Sequence, residues 1–256
     1  MRLLPRGLAH RVEVTQTWDD LVLAEDTAER IVSLVWQVRH ARGVAAVFSG
    51  PPGTGKTMVA GLIARELGLD LYQVDLRRVV STWLGETENN LSRLFDGAKR
   101  NHALLLFDEA DALLGHLIKR AEASGGVAIF TAHPHTTLDR ALERRLAAHV
   151  VFAPPSEHER VRLWQRQTIT GRAPLARDVS HHELARAFPR MTGADIRNAA
   201  IAAAFLAAAA GAPTITQDHL TRAARAEHRR MGHLSAEITT RSDEPRRASC
   251  HASTVS

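Results

Sequence analysis

The stretch Gly50-Pro51-Pro52-Gly53-Thr54-Gly55-Lys56-Thr57 decides the fold. It follows a short apolar run, Val44-Ala45-Ala46-Val47-Phe48, and precedes a helix-forming segment from Lys56 to Leu67, with Gly68 placed to close it. A Gly-x-x-x-x-Gly-Lys-Thr pattern between a buried strand and a helix is the context a phosphate-binding loop needs. Its glycines let successive backbone N–H groups turn inward on an anion, and the helix N-terminus adds partial positive charge. Lys56 is expected to reach the β- and γ-phosphates of a nucleoside triphosphate, and the Thr57 hydroxyl to coordinate Mg²⁺. Met58, next in sequence, joins the expected binding set. Only three of the 33 basic residues are lysines (Lys56, Lys99 and Lys119), and one stands where a compact ammonium is wanted. A plain glycine-rich turn would not account for that lysine.

Working outward, a second apolar strand ends in acid: Leu104-Leu105-Leu106-Phe107-Asp108-Glu109-Ala110-Asp111. Open α/β sheets bind ligands at the carboxyl ends of their strands. Asp108 is therefore expected at the metal and Glu109 at the attacking water. Three further apolar runs, 71–74, 127–131 and 149–152, read as strands separated by helical segments. The amphipathic helix at 28–39 carries Ile31, Leu34, Val35 and Val38 on one face. The alternation predicts a three-layer α/β fold with a parallel sheet of about five strands.

After Pro154-Pro155 the pattern changes to helices alone. Ser156 with Glu159, and Thr192 with Asp195, have capping-box spacing, and Thr216 is placed to cap a third helix. The expected organisation is a flexible arm at 1–16, an α/β core at 17–155, a helical lid at 156–232 and a disordered tail at 233–256.

The net charge of +5 raises nucleic acid as a partner, but the arginines are spread along the chain rather than clustered. One cysteine, Cys250, rules out a disulfide framework within the chain and suits the cytoplasm. Met1 to His10 is basic without an apolar region, so no signal peptide is expected. The longest apolar run, Ala199 to Ala210, falls short of the roughly 20 residues that span a bilayer.

Together these residues resemble the AAA+ ATPases, specifically the AAA group of ring-forming remodelling enzymes, over residues 17–232. The likeness rests on Gly50–Thr57 (Walker A), Leu104–Asp111 (Walker B), Gly85-Glu86-Thr87-Glu88 after an aromatic, Arg144-Arg145, and Thr192-Gly193-Ala194-Asp195. With Trp18-Asp19-Asp20-Leu21 ahead of the first helix, the order looks most like bacterial single-ring members. The resemblance implies binding and hydrolysis of ATP with Mg²⁺ and self-association into a ring, hexameric in the family. It also implies a protein substrate, with neither membrane nor nucleic acid as partner. Trp83 matches the pore-loop aromatic that grips a polypeptide, against the alternative of a core tryptophan. Arg144 or Arg145 matches the arginine finger that reaches a neighbour's γ-phosphate. Gly193-Ala194-Asp195 matches the sensor-2 region in the form that lacks an arginine on the lid.

The sequence departs from the family at three places. His133 stands at the sensor-1 position, where a polar residue such as Asn usually orients water. Only Arg39 to Gly43 joins the first helix to the loop strand, shorter than the family's adenine-enclosing stretch. Residues 108–126 join the second strand to the sensor-1 strand, so a second pore loop is missing, with the gap expected at Gly115-His116. These mark a shortened member with slow hydrolysis. The competing expectations are a nucleotide-switched scaffold with little turnover and a DNA-linked AAA+ factor. The last lacks a patterned DNA-binding appendage, since the residues after 235 are too short for a helix-turn-helix.

Overall fold

The computed structural model describes residues 7–80, 86–169 and 174–242, with side chains described as far as Arg230. The core begins with β1 (Ala9–Arg11), a 3-10 turn at Trp18–Asp20 and α1 (Glu25–His40). It continues through β2 (Val44–Ser49), α2 (Lys56–Glu66), β3 (Asp70–Val74) and α3 (Leu76–Val79). Then come α4 (Glu86–Arg100), β4 (Ala103–Phe107), α5 (Leu114–Ser124), β5 (Val127–Ala132), α6 (Arg140–Glu143) and β6 (Ala148–Val151). The six strands form one sheet in the order β1-β3-β4-β5-β2-β6, parallel except for β1.

The period of two along a strand sends alternate side chains to opposite layers. In β4, Leu105 and Phe107 face α4 and α5, packing with Leu91, Leu94, Phe95, Leu117 and Ile118. Leu104 and Leu106 face the other way, onto Ile31 and Leu34 of α1 and Val59 and Ile63 of α2. Burial on both faces is why these strands read as continuous apolar runs. Phe95, Phe107 and Phe130 stack across the first layer with centroids 5.7 and 5.2 Å apart.

The five expected strands are all present, and β1 is added at the edge, where the sequence reading has a flexible arm. It pairs Ala9 with Val74 and Arg11 with Tyr72, and the Arg11 guanidinium meets Asp70 at 2.7 Å. The open edge of β3 selects this segment; no apolar alternation in Ala9-His10-Arg11 announces it.

The lid comprises α7 (Glu157–Ile169), α8 (His181–Ala187), α9 (Gly193–Ala209) and α10 (Gln217–Ser242) around Trp164, Met191, Ile196 and Leu220. Both capping boxes form: Ser156 N–H donates to Glu159 at 2.7 Å and Thr192 N–H to Asp195 at 2.8 Å. His219 N–H donates to the Thr216 hydroxyl at 3.4 Å, capping α10. That helix continues to Ser242, ten residues beyond the boundary at 232 read from the sequence. Among the described residues no helix is long and apolar enough to cross a membrane.

Candidate functional site

A cavity of about 670 Å³ opens at the carboxyl ends of β2, β4 and β5. It is lined by Gly50, Pro52–Met58, Asp108, Glu109 and Thr131–His133 from the core, by Gln16 and Asp20–Ala24 from the N-terminal segment, and by Leu163, Gln167, Gly193, Ala194 and Arg197 from the lid. The phosphate loop, the acidic strand end and His133 are thus brought together as the sequence suggests.

Three glycines of the loop, Gly50, Gly53 and Gly55, have positive φ, and at two of them a side chain is excluded by contact as well. Gly50 has φ of 145°, and a Cβ there would sit 2.2 Å from the Phe152 carbonyl oxygen. Gly53 has φ of 79°, and a Cβ there would meet the Thr192 hydroxyl at 2.4 Å. Non-glycine residues avoid that region, so both glycines are required by geometry. The Gly53 carbonyl also accepts a hydrogen bond from Ala194 N–H at 3.2 Å, which pins the start of α9 onto the loop. Lys56 Nζ donates to the carbonyls of Gly50 and Pro51, each at 2.7 Å, leaving its third proton free. Burial pushes the Lys56 ammonium below its ordinary pKa, opposed by the nearby Asp108 and Glu109.

The acidic end of β4 is organised by a residue the sequence reading passed over. Thr131, 2% exposed, donates its hydroxyl proton to Asp108 Oδ1 and accepts from Glu109 N–H at 3.0 Å. Gln73 from β3 donates to Asp108 Oδ2 at 3.2 Å. Asp108 is held from both oxygens with lone pairs to spare. Glu109 stands at φ of 52°, uncommon for a side-chain-bearing residue, and the Thr131 bond holds its backbone there. The parallel register Phe107↔Phe130 brings the next residues, Asp108 and Thr131, alongside. That pairing of strands was the missing signal.

His133 is tied down rather than turned toward the carboxylates. Its N–H donates to Asp111 Oδ1 at 2.9 Å and its Nδ1 lies 3.0 Å from Asp111 Oδ2. Burial opposes ionisation of Asp111, but hydrogen bonds from Thr136 and from the backbone and ring of His133 outweigh it and hold its pKa down at about 2. An ionised Asp111 can only accept, so the contact is a donation from the His133 Nδ1–H.

Arg145 pairs with Glu122 at 2.8 Å, whereas Arg144 is exposed and makes no side-chain hydrogen bond or ion pair among the described residues. From the lid, Arg197, two residues past Gly193-Ala194-Asp195, lines the cavity. Helix α5 runs unbroken through Gly115-His116, so no loop interrupts the chain where the gap was expected. Trp83 and Gly85 lie outside the described residues.

The donor set suits a magnesium nucleotide. Mg²⁺ is ordinarily held by one or two carboxylates together with substrate phosphates. Thr57 and Asp108, which both line the cavity beside the phosphate loop, match that pattern.

The family described as "ATPase family associated with various cellular activities (AAA)" matches residues 46–154. Among curated proteins, an "Uncharacterized AAA family ATPase y4kL" of Sinorhizobium fredii is 38% identical over 112 residues, 40% of this chain and 34% of that protein. The ATP-dependent zinc metalloprotease FtsH 1 of Sphaerobacter thermophilus is 29% identical over 82% of this chain and 37% of its own length. A Cell division cycle protein 48 homolog of Archaeoglobus fulgidus is 28% identical over 70% of this chain and 29% of its own. The matched region thus spans roughly a third of the length of these relatives.

Proposed function

We propose that this chain, which matches the AAA family over residues 46–154, is an AAA+ ATPase that binds ATP with Mg²⁺ and hydrolyses it to ADP and phosphate as an oligomer acting on protein complexes. The observation that carries the reading is the Thr131 hydroxyl, which links Asp108 to the Glu109 backbone at the mouth of the phosphate loop. A structural strand end has no need to fix two carboxylates beside an anion cradle.

The loop amides and Lys56 take the triphosphate, the lysine exchanging its carbonyl partners for phosphate oxygens. Thr57 and Asp108 would hold Mg²⁺, whose charge bridges and neutralises the terminal phosphates. Glu109 polarises the attacking water as general base. Arg144 supplies the finger to a neighbouring subunit, because Arg145 is committed to Glu122. His133, anchored by Asp111, offers Nε2 as a further hydrogen-bonding group at the cavity wall. The single cysteine supports a cytoplasmic setting.

A second reading, a nucleotide-switched scaffold with little turnover, is favoured by the unbroken α5 where the family has a second pore loop. Phosphate release measured across protein concentration separates the two. A shared site gives specific activity that rises with concentration in the wild type, stays flat in Arg144→Ala and still rises in Arg145→Ala. Negligible release at every concentration selects the scaffold.

A further inference from the structure

Helix α2 carries a glycine, Gly61, in its buried interior, where alanine is the better helix former. Its backbone is not left-handed, so no turn requires it. A neighbouring side chain does. A Cβ on Gly61 would have Val14 Cβ at 2.7 Å and Val14 Cγ1 at 3.3 Å, with Val14 Cγ2 closer still. These are the three nearest atoms, and all belong to the one valine. Gly61 is thus a notch in α2, and Val14 fills it.

Val14 belongs to a segment held at both ends. Upstream, β1 pairs with β3, Asp75 N–H donates to the Leu8 carbonyl at 2.9 Å, and Val12 N–H donates to the Leu71 carbonyl at 2.9 Å. The Arg78 guanidinium adds a bond to the Gly7 carbonyl at 3.3 Å. Val12 and Val14 then pack, partly buried, against the layer formed by α1 and α2. Downstream, Thr15, Gln16 and Asp20–Ala24 line the nucleotide cavity. The turn at 17–20 is closed by Thr17 N–H donating to Asp20 at 2.7 Å. Leu21 lies over Gly55 of the phosphate loop, its Cδ1 3.8 Å from where a Cβ would stand. Residues 8–24 therefore run as a strap from the sheet edge, across α2, to the nucleotide site. The strap lies ahead of residues 46–154, the region matched by the family.

We infer that Val14 and Gly61 are positioning residues for the nucleotide: docking of the strap pre-forms one wall of the cavity, and a bound nucleotide in turn holds the strap down. A wall already in place spares the ligand the entropy of ordering it. Coupling of this kind is reciprocal, so strap and nucleotide stabilise each other by the same factor. Affinity at the phosphate loop is thereby set in part from the far edge of the sheet, where the sequence reading has a flexible arm. The inference rests on the nucleotide binding proposed above and adds residues that set its strength.

The test combines limited trypsin digestion of the full chain with titration of a fluorescent ADP analogue. Cleavage after Arg11, read by mass spectrometry as the product beginning at Val12, needs the strap detached, because Val12 N–H is bonded to Leu71. Cleavage after Arg100, at the end of α4, reports general unfolding. In the wild type, saturating ADP with Mg²⁺ is expected to slow cleavage after Arg11 about tenfold. In Gly61→Ala the expelled Val14 is expected to speed that cleavage about tenfold, leave cleavage after Arg100 unchanged and weaken binding of the ADP analogue about tenfold. Helix propensity alone predicts the opposite sign, a more stable α2. Val14→Asp, which leaves α2 as it is, is expected to give the same effects. Either variant binding the analogue like the wild type, or bound ADP leaving cleavage after Arg11 unchanged in the wild type, overturns the inference alone. A wild type that binds no ADP analogue overturns the ATPase reading and the inference with it.

Discussion

Replacing Thr131 with valine keeps the volume and β-branching of the side chain while deleting one oxygen. That oxygen donates to Asp108 and accepts from Glu109 N–H at 3.0 Å. A hydrogen bond to a charged group is worth about 1.5–3 kcal/mol and a neutral one about 0.5–1.5 kcal/mol. The left-handed backbone of Glu109, at φ of 52°, costs roughly 1–2 kcal/mol and then lacks its restraint. The substitution therefore releases about 2–4 kcal/mol, shared between global stability and the positioning of the two carboxylates. At about 1.4 kcal/mol per tenfold in rate, kcat is expected to fall roughly 10- to 100-fold. Affinity for ADP should hold, because the loop amides and Lys56 are untouched. Single-turnover phosphate release, fluorescent-ADP titration and thermal melting read the three quantities separately. Thr131→Ser, which keeps the oxygen, should recover most of the rate. If Thr131→Val turned over like the wild type, or lost ADP affinity rather than rate, Thr131 would not be the group that holds the carboxylates in place.

Gly53→Ala forces a Cβ to within 2.4 Å of the Thr192 hydroxyl at a φ of 79°; it should weaken nucleotide binding at least tenfold in a titration, through strain of about 1–3 kcal/mol. Asp111→Ala frees His133 and Thr136 of three hydrogen bonds and should cost about 1–3 kcal/mol in urea unfolding, with an unchanged midpoint as the contrary result. Burial lowers the pKa of His149, with Glu143 opposing and Arg30 assisting, and burial with His182 lowers that of His181. The unfolded chain then takes up protons first as pH falls below about 6.5, so stability is full above that value and declines toward the folded pKa values. The urea midpoint should be lower at pH 5.5 than at pH 7.5, and His149→Gln, which can keep the bond to Ser49, should lose less; equal midpoints for the wild type would refute this.

Most of the frame is legible in the sequence because it is written in local patterns. The runs at 44–48 and 103–107 are buried on both faces, the phosphate loop needs its glycines, and Ser156 and Thr192 each bond the acid three residues on. What escapes is decided between segments. Strand β1 exists because β3 offers an open edge. Thr131 reaches Asp108 only through the β4–β5 register. Arg197 joins the cavity only because Ala194 N–H bonds the Gly53 carbonyl and fixes where α9 starts. The preference for Arg144 over Arg145 comes from the pairing of Arg145 with Glu122, which adjacency in sequence cannot distinguish.

The most direct test of the central claim is ATP turnover and ATP binding measured side by side for wild type and Glu109→Gln. The glutamine keeps the shape and the Thr131 bond to the backbone but cannot serve as a general base, a group worth about 10²–10⁴ in rate. The wild type is expected to release phosphate continuously, while Glu109→Gln binds ATP at least as tightly and loses turnover by about that factor. Equal turnover in the two proteins would contradict the role given to Glu109, and absence of turnover in both would leave a chain that binds ATP without hydrolysing it.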